Sequence, residues 1–135
     1  MRRSMLFMPG NNAGMLLNAD ILGADAVILD LEDAVSPAEK DAARILVRNA
    51  IQTLHYQCEV CVRINSIDTA FWKQDLTAIL PLKPSLIMPP KISPSANLLA
   101  SFMLFKKSVR PVLIIPINGL TKHITSAMAP SPASG

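Results

Sequence analysis

Carboxylate side chains are missing from the second half of this sequence: Asp75 is the last acidic residue, although the chain runs on to Gly135. Basic residues continue through that half, and the formal net charge is +3. Hard divalent cations prefer oxygen ligands, above all carboxylates. Residues 76–135 therefore cannot supply an acidic metal ligand or a carboxylate base. The basic residues are not clustered, which argues against a nucleic-acid-binding surface.

Long apolar runs are also missing. Hydrophobic residues make up 50% of the chain and the mean hydropathy is +0.34. Proline or charged residues nevertheless interrupt every apolar run before the roughly 18 residues that a membrane-spanning helix needs. The run at residues 5–8 ends at Pro9-Gly10, too early for the core of a secretory signal. We therefore expect a cytoplasmic protein that does not associate with membranes.

Cysteine and glycine are scarce. The two cysteines, Cys58 and Cys61, form a C-x-x-C without the second pair of ligands that a zinc site requires. We expect plain buried thiols, which fit a reducing cytoplasm. The five glycines lack the spacing of a dinucleotide-binding or P-loop motif, so we do not assign nucleotide binding.

Short apolar segments alternate with helix-like segments along the chain. The segment AVIL at residues 26–29 is too short for a helix, and its continuous apolar character is typical of a strand buried on both faces. Such segments recur at intervals of about thirty residues, which predicts right-handed βαβ units and a parallel sheet. Strands are predicted at residues 4–8, 26–29, 60–64, 85–88 and 112–115, and helices at 13–22, after Ser36, at 71–80 and at 93–107.

The predicted fold class is therefore α/β. Two architectures compete, a doubly wound sheet and a partial TIM (β/α)₈ barrel with about four and a half βα units. We assign residues 1–118 to this incomplete barrel domain. Residues 119–135, where the pattern decays into small residues and prolines, are expected to form an atypical, disordered tail.

The helix after the second strand should be amphipathic. Ser36, Pro37 and Glu39 match a capping box with a first-turn proline. Three- and four-residue spacings predict an apolar face formed by Ala42, Ala43, Leu46, Val47, Ala50 and Ile51. The exposed face should carry Lys40, Arg44 and Arg48.

Polar residues interrupt the apolar pattern where each strand should end. In parallel α/β folds, ligands bind at the carboxyl ends of the strands. Four segments should therefore meet along one rim: Pro9-Gly10-Asn11, residues 30–33, residues 63–65, and Pro89-Pro90-Lys91.

Arg63 is the sharpest candidate for a binding residue, because a guanidinium matches a carboxylate in two parallel hydrogen bonds. That carboxylate could belong to a ligand or to Asp30, Glu32 or Asp33, and the residues alone leave both alternatives open. The three acids could form a metal or acid–base site, but we favour a supporting role, as caps or as anchors for Arg63. Lys91 could neutralise an anionic ligand or be an ordinary surface lysine.

Four motifs, in this order, resemble the HpcH/HpaI aldolase family of citrate lyase beta subunits and malyl-CoA lyases: RRSMLFMPGNN at residues 2–12, LDLEDAV at 29–35, EKDAAR at 39–44 and VRIN at 62–65. The similarity extends over about residues 2–91. It implies a TIM barrel and a magnesium-assisted cleavage of a citryl or malyl thioester into an acetyl thioester and a 2-oxo acid. Acyl-carrier protein or coenzyme A would carry the thioester.

The resemblance also implies roles for particular residues. Arg63 would bind the substrate carboxylate and orient it. The family's magnesium carboxylates follow its fifth and sixth strands, and Asn118 lies roughly where the first of them belongs. The supporting rim would comprise Asp30, Glu32, Asp33, Pro9, Gly10, Asn65 and Lys91.

The resemblance further predicts a truncated member of the family, because eight βα units close a barrel. An open barrel would expose a sheet edge and apolar faces. We expect a lyase subunit that is inactive as this chain alone. The alternative is a non-catalytic fragment that binds an acidic ligand or assembles with a full-length subunit or with a second copy of itself.

Overall fold

The computed structural model of this 135-residue chain describes residues 3–89. In this part of the chain four strands form one sheet: β1 (Met5–Pro9), β2 (Ala26–Asp30), β3 (Glu59–Arg63) and β4 (Leu86–Met88). Each strand agrees with its prediction to within one residue at either end. The fifth predicted strand, the helix at 93–107, the boundary at residue 118 and the tail at 119–135 lie outside the described residues.

The strands pair in parallel, in the order β1-β2-β3-β4. A doubly wound sheet reverses its strand order at a switch point, whereas a barrel adds each strand beside the previous one. The observed order is therefore that of a barrel, and the predicted parallel α/β fold is confirmed. As its apolar run predicts, β2 is buried over its whole length.

Three α-helices connect the strands within residues 3–89: α1 (Ala13–Leu17), α2 (Lys40–Thr53) and α3 (Trp72–Ile79). The helix predicted at 13–22 is interrupted at Asn18 and continues as the 3₁₀ turn Ala19–Leu22. Gly23 ends that turn in a left-handed conformation, with φ 68°. None of the helices in this part of the chain is long and apolar enough to span a bilayer.

The start of α2 differs from the predicted capping box. Ser36 is extended and precedes a 3₁₀ turn, Pro37–Glu39, that leads into α2. The Ser36 hydroxyl donates to Oε2 of Glu39 at 2.9 Å and caps no backbone N–H. The same carboxylate oxygen accepts a hydrogen bond from Nδ2 of Asn11 at 3.1 Å. Glu39 therefore ties the loop after β1 to the start of α2.

The helices cover one face of the sheet. Strand residues such as Val27 and Val62 belong to the main apolar core on that face, together with Val47 of α2 and Leu76 of α3. Since successive strand residues point to opposite faces, the other face carries a separate and smaller cluster of Ala26, Ile28, Cys61 and Leu86.

The two cysteines lie on opposite faces of the sheet. Cys61 belongs to the smaller cluster, whereas Cys58 packs against the main core. Burial raises the pKa of the Cys58 thiol to about 11, so this group stays protonated and poorly nucleophilic at neutral pH. Cys61 is buried as predicted, whereas Cys58 is only partly buried.

The predicted exposed face of α2 is wrong at two positions. Lys40 and Arg44 are only 7% and 8% exposed, whereas Arg48 is exposed as predicted and Ala42, predicted to be buried, is exposed. Helix geometry gives the reason, because positions 40, 44 and 47 are spaced by four and three residues and lie on one side. Lys40 and Arg44 therefore share the buried side of α2 with Val47.

Gly10 lies where β1 comes closest to its neighbours. Its N–H donates to the Asp30 carbonyl at 2.8 Å, and an added Cβ would stand 2.7 Å from that oxygen and 2.9 Å from Cγ2 of Val47. We expect Gly10→Ala to lower the free energy of unfolding by about 1–3 kcal/mol, measured by urea denaturation.

The matched control for this change is Gly14→Ala in α1. A Cβ at Gly14 would meet Asn12 Oδ1 at 3.5 Å, an ordinary contact. The free energy of unfolding of this variant should rise by up to about 1 kcal/mol, because alanine restricts the unfolded chain and favours a helix. Equal losses in both variants would contradict the steric explanation.

Candidate functional site

The sheet register sets the last residues of the strands in one row. Pro9 pairs with Asp30. Asp30 pairs in turn with Arg63, which pairs with Met88. Because strand side chains alternate between faces, Asp30 and Arg63 lie on the face opposite the helices, at the carboxyl ends of β2 and β3. The polar residues after the first three strands therefore meet at one rim, as predicted.

Asp30 and Arg63 form an ion pair with two hydrogen bonds. Nε of Arg63 donates to Oδ1 of Asp30 at 2.8 Å, and Nη2 donates to Oδ2 at 2.6 Å. The same two oxygens accept the backbone N–H groups of Glu32 and Ala34, at 2.9 and 3.0 Å. Four donors thus saturate the Asp30 carboxylate, which is 1% exposed.

The remaining edge of the guanidinium faces two further acids. Nη1 of Arg63 lies 3.4 Å from Oε2 of Glu32 and 3.6 Å from Oδ2 of Asp33. The guanidinium carbon also lies 5.0 Å from the centre of the Phe7 ring, a cation–π distance. The acids therefore do anchor Arg63, as one of the two alternatives left open by the sequence requires. A ligand carboxylate would share or replace the contacts to Nη1.

Burial and charge oppose each other in this cluster. Burial alone would raise the pKa of Asp30, but hydrogen bonds from Arg63 and the two backbone amides hold that pKa below its usual value. Burial raises the pKa of Glu32, and the charge of Arg63 offsets this only in part. Hydrogen bonding to Asp30 raises the pKa of Arg63, so the guanidinium stays cationic at any working pH.

Lys40 fastens the acidic loop to α2. Its buried ammonium donates to the backbone carbonyl of Leu31 at 2.8 Å and to that of Glu32. Burial lowers the pKa of Lys40, and the nearby acids, with Asp30 the strongest, oppose this shift. The ammonium therefore fixes the backbone from which Glu32 and Asp33 project.

A second buried polar cluster fixes the loop after β3. Asp75 of α3 is completely buried, and its Oδ1 accepts a hydrogen bond from Nε of Arg44 at 2.8 Å. Its Oδ2 accepts the backbone N–H and the side-chain amide of Asn65, at 2.9 and 2.7 Å. The Asn65 amide, predicted to face the rim, is therefore turned towards α3, because the buried Asp75 carboxylate requires donors.

The other predicted site residues divide into two groups. Pro9 ends β1 beside Asp30, and Gly10 approaches the Asp30 carbonyl, so both lie at the rim. Lys91 and Asn118 lie outside the described residues.

The described residues do not fit a magnesium ion. Within residues 3–89 no group of three His, Cys, Asp or Glu side chains is arranged to hold a metal. Asp30 already accepts four hydrogen bonds, and Glu32 and Asp33 face the Arg63 cation, which repels a second cation.

Three buried charges were not predicted from the sequence: Lys40, Arg44 and Asp75. A signal existed for each of them. Lys40 and Arg44 lie in the motif EKDAAR at helical spacing from the apolar Val47. Asp75 lies three residues after Trp72 and four before Ile79, both of which are buried on α3. A charge at core spacing on a helix indicates a buried group that is held by hydrogen bonds or by an ion pair.

A parallel sheet wound in chain order, with its charged residues at the carboxyl ends of the strands, is the arrangement of a (β/α)-barrel enzyme. The family model described as HpcH/HpaI aldolase/citrate lyase matches residues 3–109. This chain belongs to that family.

Two curated relatives illustrate the similarity. The chain is 50% identical over 97 residues to citrate lyase subunit beta of Leuconostoc mesenteroides subsp. cremoris. The matched residues are 71% of this chain and 32% of that protein. It is 41% identical over 97 residues to a (3S)-malyl-CoA thioesterase of Cereibacter sphaeroides, covering 71% of this chain and 34% of that protein. The chain thus spans about a third of the length of these relatives.

Solved structures agree with the fold. CitE from Mycobacterium tuberculosis, in complex with magnesium and acetate, aligns with a TM-score of 0.63 and 32% identity over 83% of this chain and 42% of that chain. The citrate lyase beta subunit of the same organism, complexed with oxaloacetate and magnesium, aligns with a TM-score of 0.62 and 32% identity. This alignment covers 83% of this chain and 45% of that chain. Magnesium is therefore the cofactor found in homologous structures, and the partial barrel is confirmed.

Proposed function

We propose that this chain carries the carboxylate-binding side of a carbon–carbon lyase site that cleaves a citryl- or malyl-type thioester, with Arg63 as the binding residue. The observation that supports this is the way Arg63 is held. Asp30 binds Nε and Nη2, so Nη1 faces the rim in a fixed direction. A guanidinium fixed in this way orients a ligand carboxylate at little entropic cost.

In the proposed reaction Arg63 binds a part of the substrate that does not change chemically. The substrate hydroxyl first loses its proton to a base, and its oxygen becomes the carbonyl of the 2-oxo acid as the C–C bond breaks. The electron pair of that bond passes to the carbon next to the thioester carbonyl, which forms an enolate, and a proton added at that carbon gives the acetyl thioester. The substrate carboxylate keeps its charge throughout. Arg63 therefore acts by binding and orientation, and Asp30, Glu32, Asp33, Pro9, Gly10 and Lys91 form the supporting rim of this proposal. Asn65 instead fixes the loop after β3 through its hydrogen bonds to Asp75.

The substrate carrier is proposed to be coenzyme A or acyl-carrier protein. One CitE structure from Mycobacterium tuberculosis contains magnesium, acetoacetate and coenzyme A, which supports coenzyme A as the carrier.

The chain is also proposed to assemble with a second copy of itself or with a full-length subunit. The apolar side chains of Met5 and Phe7 on β1 are 43% and 48% exposed, and burying them against a partner supports this assembly. We retain residues 1–118 as the proposed barrel domain.

The 135-residue chain alone is expected not to cleave citryl-CoA or malyl-CoA in the presence of Mg²⁺. The reason is the lack of any carboxylate after Asp75, together with the saturated Asp30. Release of acetyl-CoA, followed by chromatography, measures this outcome. Turnover above the uncatalysed rate that disappears in Arg63→Ala would show that the chain is a complete catalyst.

A further inference from the structure

The guanidinium edge proposed to bind substrate is already occupied by this chain. Glu32 and Asp33 both lie within ion-pair distance of Nη1 of Arg63, at 3.4 and 3.6 Å. Asp30 holds the other edge through Nε and Nη2. An incoming ligand carboxylate therefore meets an Arg63 guanidinium that already forms ion pairs with three acids on its two edges.

The two outer acids are not equivalent. The Asp33 side chain is 79% exposed, so water and salt screen its attraction to Arg63. The Glu32 side chain is only 21% exposed. Its backbone is also held at both polar groups, because its N–H donates to Asp30 and its carbonyl accepts from Lys40. Glu32 is therefore the better placed competitor for Nη1.

We propose that Glu32 is a specificity-determining residue of the Arg63 site, whose carboxylate occupies the position that a substrate carboxylate must take. This inference rests on the proposed function, in which Arg63 binds that carboxylate. A ligand binds when its own carboxylate replaces the Glu32 contact. Ligands with only neutral oxygens, such as esters, cannot displace a charged competitor and are excluded.

The charges around Glu32 are consistent with displacement. Arg63 faces it from β3, Asp30 and Asp33 from β2 and the acidic loop, and Lys40 from α2. The two neighbouring acids repel Glu32 and burial disfavours its charge, so it is held less firmly than Asp30. Its exchange for a ligand carboxylate leaves the Asp30–Arg63 pair intact.

The test uses the full 135-residue chain and pyruvate as the probe, with affinity measured by isothermal titration calorimetry. Glu32→Gln keeps the size of the side chain and removes its charge. We expect this variant to bind pyruvate about three- to tenfold more tightly, the order expected for removing one competing charge at a partly exposed pair. Methyl pyruvate, which has no carboxylate, should not bind to the natural chain, in which Glu32 keeps its charge.

Two variants serve as controls. Asp68→Asn removes the same charge from an exposed loop position and should change the affinity by less than about twofold. Asp33→Asn should have an intermediate effect, because Asp33 is largely solvated. Tighter binding by Glu32→Gln than by Asp68→Asn supports the proposal, as does binding that is measurable only in Glu32→Gln.

The outcomes separate this proposal from the proposed function. If Glu32→Gln and Asp68→Asn have equal affinities while Arg63→Ala abolishes binding, Glu32 is not a competitor and the role of Arg63 stands. If pyruvate binds to neither the natural chain nor Glu32→Gln, both proposals are wrong. Circular dichroism of each variant checks that the fold is retained.

Discussion

Replacing Asp75 by alanine is expected to lower the free energy of unfolding by about 3–5 kcal/mol, the usual cost of breaking a buried ion pair by removing one partner. The Asp75 carboxylate accepts Nε of Arg44 and two N–H groups of Asn65. Its loss leaves the buried Arg44 guanidinium with Asp41 as its remaining partner, 2.6 Å from Nη1, while Nη2 already lacks a partner among the described residues. The loss approaches the whole stability of a small domain.

Urea denaturation followed by circular dichroism measures this loss. The control is Asp68→Ala, an exposed acid in the preceding loop, which should change the free energy of unfolding by at most about 0.5 kcal/mol. The free energy of unfolding should fall less in the double variant Arg44→Met, Asp75→Leu than in Asp75→Ala alone. The double variant removes both charges and fills the space of both side chains with apolar atoms. Equal unfolding midpoints for Asp75→Ala and the natural chain would show that the cluster is not a stabilising one.

Replacing Arg63 by methionine is expected to reduce pyruvate affinity at least tenfold and to cost about 3 kcal/mol of stability. The first effect follows from loss of a charge-assisted hydrogen bond at the ligand. The second follows because Asp30, 1% exposed, loses its cation and keeps only two backbone donors. Calorimetry measures the affinity and urea denaturation the stability.

The stability difference should depend on pH in a defined direction. The pKa of Asp30 is lowered in the folded chain, so the ion pair contributes fully above the unfolded value of about 3.9 and is lost as pH falls through the folded value. The gap in stability between Arg63→Met and the natural chain should therefore shrink in acid. A gap that widens in acid would contradict the pairing with Asp30.

The double variant Asp30→Leu, Arg63→Met separates the two roles of Arg63. Because neither charge is present, no unpaired carboxylate is buried at the rim, and the double variant should recover much of the free energy of unfolding that Arg63→Met loses. Pyruvate binding should remain lost, because no guanidinium is present. Restored binding in this double variant would show that Arg63 is a structural residue and that the ligand binds elsewhere.

The candidate site was predictable where it depends on local pattern. A charged residue directly after an apolar segment indicated that Asp30 and Arg63 end strands, and the rule for parallel sheets then predicted their meeting at one rim. The choice among the three acids was not predictable, since Asp30 ends β2 and Glu32 and Asp33 follow it within three residues. The strand register decides it, because Asp30 alone of the three lies directly opposite Arg63 in the β2–β3 ladder.

The partners of the buried polar residues could not be predicted from the sequence. The patterns of α2 placed Lys40 and Arg44 on the solvent side because charged side chains are rarely buried without partners. Those partners come from distant segments: Asp75 follows Arg44 by 31 residues, and the Leu31 carbonyl precedes Lys40 by nine. A pattern within one helix contains no information about either of them.

The sequence by itself determined the family, the α/β class and the strands of the described region, because apolar runs, their polar ends and short motifs are local properties of the chain. Only the tertiary structure decided that Asp30 rather than Glu32 or Asp33 holds both Nε and Nη2 of Arg63, that Asn65 turns to Asp75, and that Lys40 fastens the acidic loop. These outcomes depend on strand register and helix packing, which bring together groups that the sequence keeps far apart.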